Sequence, residues 1–418
     1  MTPAHQVLER AFRSESGRVL ATLARQLGDL DAAEDAVQEA FVEAMRTWPR
    51  RGVPDNPGAW ITTTARNRAV DRVRRESRRE AKEKAATSTP EPGGPPEPPD
   101  PSVDAADAEP PDDQLRLIFT CCHPALAPTA QVALTLRLVC GLQTAEIARA
   151  FLQPEATVAQ RLVRAKAKIR TAAIPFRVPP AHLLPERLPP VLACIYLVFS
   201  EGYAATAGDE LVRRELCDEG IRLGRLVVEL MPDEPEARGL LALMLMQDCR
   251  RDARVSPGGD LVLLEDQDRS RWDYDRAAEG TAELERALRR RRPGPYQLQA
   301  AIAGLHATAS SWADTDWAQI AALYAELSRV SPSPVVELNR AVAVAFTEGP
   351  AVGLEVLDAV ADDPRLARTH LLPATRADLL RRLGRRDEAA GAYRAALALA
   401  RTAPERAFLR RRLDEVAP

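Results

Sequence analysis

Apolar side chains recur every three or four residues over most of the chain, which is the period of an amphipathic helix. In the segment 33–48 the apolar positions predicted to share one buried face are Ala33, Val37, Ala40, Phe41, Ala44, Met45 and Trp48. The opposite face carries Glu34, Asp35, Gln38, Glu39 and Glu43. This pattern predicts a helix with one buried side and one acidic, exposed side.

A second helix is predicted from Gly58 or Ala59, after a loop at 48–57 that proline and glycine mark. The side chains expected to face inward are Trp60, Ile61, Thr64, Ala65, Ala69 and Val73. Residues 66–84 hold nine basic and four acidic side chains, whereas residues 29–43 hold six acids and no base. The N-terminal part therefore combines an acidic helix with a basic one.

Residues 144–170 show the pattern of two helices joined by a tight turn, with Thr144 and Thr157 as the predicted N-caps. Pro154 separates the two helices. The apolar stripe of the second helix is Val158, Leu162, Ala165 and Ile169, and its remaining face carries Gln160, Arg161, Arg164, Lys166, Lys168 and Arg170. A basic helix supported in this way fits the major groove of DNA. The alternative is a helical hairpin with a solvated, charged face.

Two proline-rich stretches divide the chain. Residues 85–112 contain nine prolines and several acids but no basic residue, a composition that predicts a disordered acidic linker. A second stretch, 175–190, is predicted to separate the helix-turn-helix from the C-terminal part.

The C-terminal part repeats small or apolar residues at spacings of four and then three. The four sets are Gly220, Gly224, Val227; Ile320, Tyr324, Leu327; Gly353, Leu357, Val360; and Ala389, Tyr393, Ala396. The last two sets lie 36 residues apart, and helix pairs that repeat about every 34 residues are typical of tetratricopeptide proteins. The pattern predicts tetratricopeptide-like stacking, with generic helical hairpins as the alternative.

Composition narrows the class of protein further. A chain of 418 residues is too long for one core, and the low aromatic content of 5% favours helix over sheet. The net charge of −3 gives no general attraction to nucleic acid, so any DNA binding must come from local basic surfaces. No secretion signal or membrane-spanning run is evident, and the apolar run 191–199 is expected to form a buried helix.

The six cysteines suit a reducing, cytoplasmic location. Cys121, Cys122, His123 and Cys140 raise the question of a metal site, but their spacing lacks a zinc pattern, so buried helical cysteine is the preferred interpretation. We expect no metal and no cofactor.

Three segments, in this order along the chain, resemble bacterial sigma factors of the extracytoplasmic-function (ECF) class. Residues 31–41 resemble the core-binding motif of region 2, residues 57–75 its promoter-melting segment, and residues 157–166 the recognition helix of region 4. The C-terminal part is similar to the long helical-repeat extension of one subgroup, on the strength of the phrases at 263–272 and 374–380.

The resemblance implies an all-α protein in four parts: a region 2 bundle at 5–84, an acidic linker at 85–112, a region 4 helix-turn-helix at 113–172 and a helical-repeat regulatory domain at 180–418. It implies core RNA polymerase and promoter DNA as partners, in the cytoplasm, and no catalysis. An intramolecular contact between the C-terminal domain and the sigma units is a further expectation. The linker is either a passive tether or a chain that threads the polymerase.

The same resemblance implies functional residues. Those implied for binding core polymerase are Glu34, Asp35, Gln38 and Glu39. Those implied for the −10 element are Arg50, Asn56, Trp60, Arg66, Asn67, Arg68, Arg72 and Arg75, although Trp60 equally fits a plain core position. Those implied for the −35 element are Thr157, Gln160, Arg161, Arg164 and Lys168.

Two other classes of protein share parts of this pattern. A helix-turn-helix repressor with a sensing domain would bind promoter DNA tightly by itself, and the acidic helix before a melting-type loop argues against it. A tetratricopeptide interaction protein with incidental basic helices would not associate with polymerase.

Overall fold

The computed structural model describes residues 3–71, 113–150, 153–204, 211–367 and 369–417, with side chains from residue 15 onward except those of 149 and 150. Within these ranges the regular elements are α-helices and short 3₁₀ turns, besides one isolated β-bridge between Val255 and Leu261. The all-α prediction is confirmed. The predicted linker, 85–112, lies outside the described residues.

The first compact unit comprises residues within 1–148 and 153–191. Its helices are α1 (Pro3–Leu27), α2 (Leu30–Arg51), α3 (described over 57–71), α4 (Asp113–Cys121), α5 (Pro128–Leu138), α6 (Thr144–Ala150) and α7 (Glu155–Thr171). Helix α8 (Leu184–Tyr203) contains the boundary, because the second unit continues from Leu192. The second proline-rich stretch, 175–190, was predicted to separate the helix-turn-helix from the C-terminal part. It is instead helical from Leu184 onward, as the first turns of α8.

Helix α2 follows the predicted pattern closely. The Asp29 carboxylate caps it by accepting hydrogen bonds from the backbone N–H groups of Asp31 and Ala32. Its buried residues are Ala33, Ala36, Val37, Ala40, Phe41, Ala44 and Trp48. The prediction for Met45 is wrong: its side chain is 48% exposed, because position 45 lies beyond the edge of the buried arc. The helix also runs three residues past Trp48, until Gly52 ends it at a positive φ of 86°.

Helix α8 contains the long apolar run predicted to be buried, and this prediction is confirmed except at Leu197, whose side chain is 37% exposed. Val191, Leu192, Cys194, Ile195, Val198 and Phe199 are all buried. The segment 181–203 is also long and apolar enough to cross a membrane by length and composition alone, a test that the core helix of a globular protein passes as well.

The second unit stacks helices that are neighbours in sequence. They are α9 (Arg214–Leu230), α10 (Pro235–Asp248), α11 (Tyr274–Leu288), α12 (Pro295–Thr308), α13 (Trp317–Val330), α14 (Pro334–Thr347), α15 (Pro350–Asp358), α16 (Leu371–Arg382), α17 (Arg386–Leu399) and α18 (Ala403–Val416). Each packs on the next, and α10 also contacts α12. Small residues bring them close: a Cβ on Gly353 would lie 2.5 Å from the Ala345 Cβ.

The repeated positions of the C-terminal part lie mostly in the interfaces between these helices. Gly220, Gly224, Val227, Ile320, Leu327, Gly353, Leu357, Ala389, Tyr393 and Ala396 are buried, whereas Tyr324 and Val360 are half-buried. Sequential stacking of this kind is compatible with tetratricopeptide-like repeats, which stay a prediction.

Candidate polymerase- and DNA-binding surfaces

The helix-turn-helix is formed by α6 and α7. The predicted apolar stripe of α7 is confirmed, since Val158, Leu162, Ala165 and Ile169 are buried. The predicted cap at Thr157 is wrong, because α7 begins two residues earlier, at Glu155, with Pro154 in the N-cap position and no side-chain cap. An acidic residue in the first turn is favourable there, since it faces the positive end of the helix dipole.

At the start of α6 the predicted cap is also replaced. Thr144 is the first residue of the helix, and the Glu146 carboxylate accepts a hydrogen bond of 2.7 Å from the backbone N–H of Gln143. The sequence therefore predicted the position of the helix start correctly, but not the residue whose side chain accepts a hydrogen bond from the backbone there.

One exposed stripe runs along α7. Thr157, Gln160, Arg164 and Lys168 are exposed and recur at spacings of three, four and four, so they share one face, which we call the reading stripe. Val163 lies beside it with 65% of its side chain exposed. Arg161, predicted as a reader, is half-buried on the flank, and its Nη1 atom is buried.

The far side of α7 contacts the start of α2. The Lys166 Nζ lies 2.8 Å from a carboxylate oxygen of Glu34 and 3.2 Å from one of Asp31, and Arg170 lies 3.1 Å from Asp31. Arg137, on α5, approaches Glu34 at 3.5 Å. Burial lowers the pKa of Lys166, but hydrogen bonds and charge from Glu34 and Asp31 outweigh burial and raise that pKa above its usual value. The Glu34 side chain is only 15% exposed as a result.

The rest of the acidic face of α2 is open. Asp35, Gln38 and Glu39 are exposed, and they line a shallow depression of about 360 Å³ together with Val42, Glu43, Arg46 and Arg68. Val42 and Met45 add exposed apolar surface to this face, at 40% and 48%. The apolar pattern placed Met45 on the buried face and did not single out Val42, although an apolar side chain among the acids of this helix was a usable signal.

The remaining predicted residues lie at the end of α2, in the loop that follows it and in α3. The Asn56 side chain accepts a hydrogen bond of 3.0 Å from the Ala59 N–H, so Asn56 caps α3. Trp60 is half-buried and meets the buried Trp48 edge to face, with ring centres 5.6 Å apart. Arg50, Arg66 and Asn67 are exposed, and Arg68 pairs with Glu43 at 3.2 Å. Arg72 and Arg75 lie outside the described residues.

The cysteines near the helix-turn-helix are buried, as are the other three in the chain, in agreement with the preferred interpretation. Over the described ranges, no group of three histidine, cysteine, aspartate or glutamate side chains is arranged to hold a metal ion.

Family models match three parts of the chain. Sigma-70 region 2 matches residues 11–79, Sigma-70 region 4 matches residues 116–169, and a family of unknown function (DUF6596) matches residues 187–288. No solved structure matches the chain.

Curated proteins of two bacteria are similar to this chain. An uncharacterised protein of Rhizobium meliloti (strain 1021) is 46% identical, over 98% of this chain and 96% of its own length. A probable ECF RNA polymerase sigma factor, SigI of Mycobacterium tuberculosis, is 28% identical over 178 residues, which are 43% of this chain and 59% of that protein. With both sigma regions matched in order and an ECF relative spanning them, the chain belongs to the extracytoplasmic-function family of RNA polymerase sigma factors, in a form with a C-terminal helical extension.

Proposed function

We propose that this sigma factor binds core RNA polymerase through the open face of α2, reads the −35 element with the reading stripe of α7 and melts the −10 element with α3 and the loop before it. Its place of action would be the cytoplasm, with its partners. The observation that carries the proposal is the presence of two exposed, chemically different helix faces on one compact unit: an acidic and apolar one on α2, and a polar and basic one on α7.

The α2 face has the composition of a protein-binding surface. Val42 and Met45 supply exposed apolar area, and the acids around them, Asp35 and Glu39, supply charge that selects a basic partner. Buried apolar contacts account for much of the affinity of an interface, while charged residues at its rim set association rate and register. This arrangement supports the proposal that Asp35, Gln38 and Glu39 dock on a basic helical surface of the polymerase.

The reading stripe has the composition of a major-groove reader. Gln160 lies in the first half of α7, which is the part of a recognition helix that reaches base edges, and Arg164 lies one turn further on, just past the middle of the helix. Arginine pairs with guanine and glutamine with adenine, and the exposed Val163 is suited to a thymine methyl group. Lys168 lies one turn further on, where phosphate contact is expected. Arg161 stays a candidate reader on the flank of the stripe.

Arg164→Ala and Lys168→Ala are expected to affect DNA binding in different ways. Arg164→Ala should cost about 1–3 kcal/mol on the cognate −35 element and relax the preference for one base pair, because it removes a base contact. Lys168→Ala should weaken binding to all sequences alike and lower the salt slope by about 1, because it removes a phosphate contact. Titrations of a selected promoter and a scrambled duplex at several salt concentrations measure both effects. If Arg164→Ala weakened both duplexes equally, the reading assignment would be wrong.

The −10 element is assigned to α3. Arg50, Arg66 and Asn67 are exposed along the loop and helix, and Trp60 presents part of its ring next to them. Removing a base from the stacked duplex costs a few kcal/mol of free energy. Stacking the same base on an aromatic side chain recovers part of that free energy. Arg68, Arg72 and Arg75 complete the set proposed to hold phosphates.

The C-terminal extension is proposed to tune this activity in cis. Stacked helices of this type offer extended surfaces to proteins or peptides, and the extension spans more than half of the chain. Regulation through a contact with the sigma units or with polymerase is the simplest use of such a surface on the same polypeptide.

Truncation tests the tuning role, and the structure decides where to cut. Ending the chain at residue 180 would remove the 2.6 Å bond from Arg187 to the Phe119 carbonyl and the buried Leu184 and Leu188, and so would damage the first unit itself. Ending it after Val191 keeps that unit complete. We expect the shorter protein to transcribe from the same start site at a changed level. Output identical to that of the full chain, measured on the same promoter in vitro, would rule out tuning in cis.

A further inference from the structure

Arginines at the two ends of α10 have different partners. Where α10 begins, Arg292 pairs with Glu234 at 3.2 Å. The helix has 14 residues and is about 21 Å long, and Arg250 and Arg254 follow its other end. Within the described ranges, neither of these two arginines forms an ion pair with a carboxylate, and both are half-buried. The end of α10 therefore carries positive charge that no acid compensates.

Arg269 belongs to the same surface. Its Nη1 donates hydrogen bonds to the carbonyl oxygens of His306, at 3.1 Å, and Ala309, at 2.7 Å, where α12 ends. Burial, and then the charges of Arg250 and Arg269, lower the pKa of His306 to about 4. His306 is therefore neutral near pH 7, which avoids a fourth positive charge. We call Arg250, Arg254 and Arg269 the arginine cluster.

The cluster contains buried polar atoms that lack a partner. The Arg254 guanidinium lies 3.7 Å from the centre of the Tyr203 ring, and that of Arg250 lies 5.8 Å from it. Among the residues that the structure describes, none forms a hydrogen bond with the buried Tyr203 Oη or the buried Arg269 Nη2. Buried polar atoms without a partner and crowded like charges are both unfavourable. Both costs fall when an anion occupies the cluster.

Two acids beside the cluster are engaged on their own loops. Asp268 accepts a hydrogen bond of 2.7 Å from the Ser270 hydroxyl, and Asp314 accepts one of 2.7 Å from the Ser311 hydroxyl. Both acids are exposed. Neither forms an ion pair with Arg269, so they do not neutralise it.

Capping of helix ends accounts for only part of the arrangement. Arg254 donates to the Tyr203 carbonyl at the end of α8, as Arg269 does to carbonyls at the end of α12, and the helix dipole favours a cation at these ends. Each cap occupies one nitrogen of a group that has five N–H donors. Over the described part of the chain, Arg250 donates no side-chain hydrogen bond, so capping does not explain its position.

We propose that the arginine cluster is a binding site for a small molecule that carries a phosphate group. Three guanidinium charges without an acid favour a partner with more than one negative charge, and a phosphate monoester carries about −1.5 to −2 near pH 7 on three acceptor oxygens. Arginine pairs with phosphate through two parallel hydrogen bonds. The half-burial of all three side chains suits a small group better than a nucleic-acid backbone, which needs protruding ones.

Calorimetric titration of the full chain with pyrophosphate tests the site without knowledge of the natural ligand. We expect one pyrophosphate to bind per chain with a Kd of about 1 mM or tighter, and citrate, which carries similar charge on carboxylates, to bind at least about tenfold more weakly. No binding of pyrophosphate at millimolar concentration would overturn the proposal. Citrate binding as tightly as pyrophosphate would overturn phosphate as the recognised group.

Arg250→Gln determines whether the probe binds at the cluster. It should weaken pyrophosphate binding by at least about tenfold, because it removes a charge-assisted hydrogen bond. The variant should unfold at no lower temperature than wild type, since Arg250 forms no ion pair and its charge opposes that of Arg254.

Arg289→Gln is the matched control. Arg289 is exposed and adjoins Arg290, which pairs with Asp233 at the opposite end of α10, and the change in charge is the same. This variant should bind pyrophosphate like wild type. Wild-type affinity in Arg250→Gln, or an equal loss in both variants, would overturn the assignment to the cluster.

Tyr203→Phe tests the site without a change in charge. It keeps the ring beside Arg254 and removes a hydroxyl that has no partner, so it should be at least as stable as wild type and yet bind pyrophosphate about threefold more weakly. Wild-type affinity in both Tyr203→Phe and Arg250→Gln would place the ligand elsewhere. Displacement of pyrophosphate by lower concentrations of an oligothymidine, or of a peptide of residues 96–112, would overturn the assignment to a small ligand.

Discussion

Reversing two charges on α2 together, Asp35→Lys with Glu39→Lys, is expected to weaken binding to core RNA polymerase by at least about 30-fold. Both side chains are exposed at the depression that we assign to the polymerase. Like charges that face each other across an interface cost several kcal/mol, and about 2 kcal/mol already corresponds to this factor. Neither position lies in the buried face of α2, so the helical fold should be preserved, which circular dichroism can verify.

The matched control is Glu229→Lys with Glu285→Lys. These residues are exposed on α9 and α11 of the second unit, and the change in net charge is the same. The control should bind core polymerase like wild type in a direct titration. If the α2 double variant retained wild-type affinity, or if the control lost as much, the polymerase-binding surface would lie elsewhere.

Replacing each of the two contacting tryptophans should have a different main consequence. Trp48→Ala is expected to destabilise the first unit by about 3–5 kcal/mol, because Trp48 is 3% exposed and its removal leaves a cavity beneath α3. Trp60→Ala removes a half-buried ring and should cost clearly less stability, but it should abolish most promoter opening if Trp60 supports an unstacked base. Urea denaturation measures the first effect, and permanganate reactivity of unpaired thymines measures the second.

Trp60→Phe is the control for this pair of variants. It keeps an aromatic face, so it should retain much of the promoter opening that Trp60→Ala loses. If Trp60→Ala melted promoters normally while lowering stability as much as Trp48→Ala does, Trp60 would be a plain core residue, which was the alternative interpretation of its position.

The sequence was sufficient to predict the faces of α2 and α7, because an apolar arc that repeats every three or four residues identifies the buried side of a helix. Val37, Phe41, Val158 and Leu162 are buried as that period requires. The exposed reading stripe follows from the same reasoning, since the polar positions of a supported helix must face solvent.

Helix ends and arc edges were less predictable. Thr157 had the side chain of a cap, yet Pro154 precedes the helix because proline has the backbone geometry of that position without needing an N–H donor. Met45 is apolar but lies at the rim of the arc, where tertiary packing decides burial. Local sequence does not contain that information.

The contact between α2 and α7 could not be predicted from the sequence. Glu34 and Lys166 are 132 residues apart, and a charge pattern indicates which side chains need partners without saying which partner they meet. The half-burial of Arg161 has the same origin, because it depends on how the helices of the helix-turn-helix pack on one another.

Transcription in vitro with purified core polymerase, followed by mapping of RNA 5′ ends over a genomic template library, tests the central claim most directly. We predict that the full-length protein directs core enzyme to a small set of start sites that share upstream sequence at two positions, and that Asp35→Lys with Glu39→Lys abolishes those transcripts. The same 5′ ends from core enzyme with and without this protein would contradict the assignment of the α2 and α7 surfaces to promoter-directed initiation.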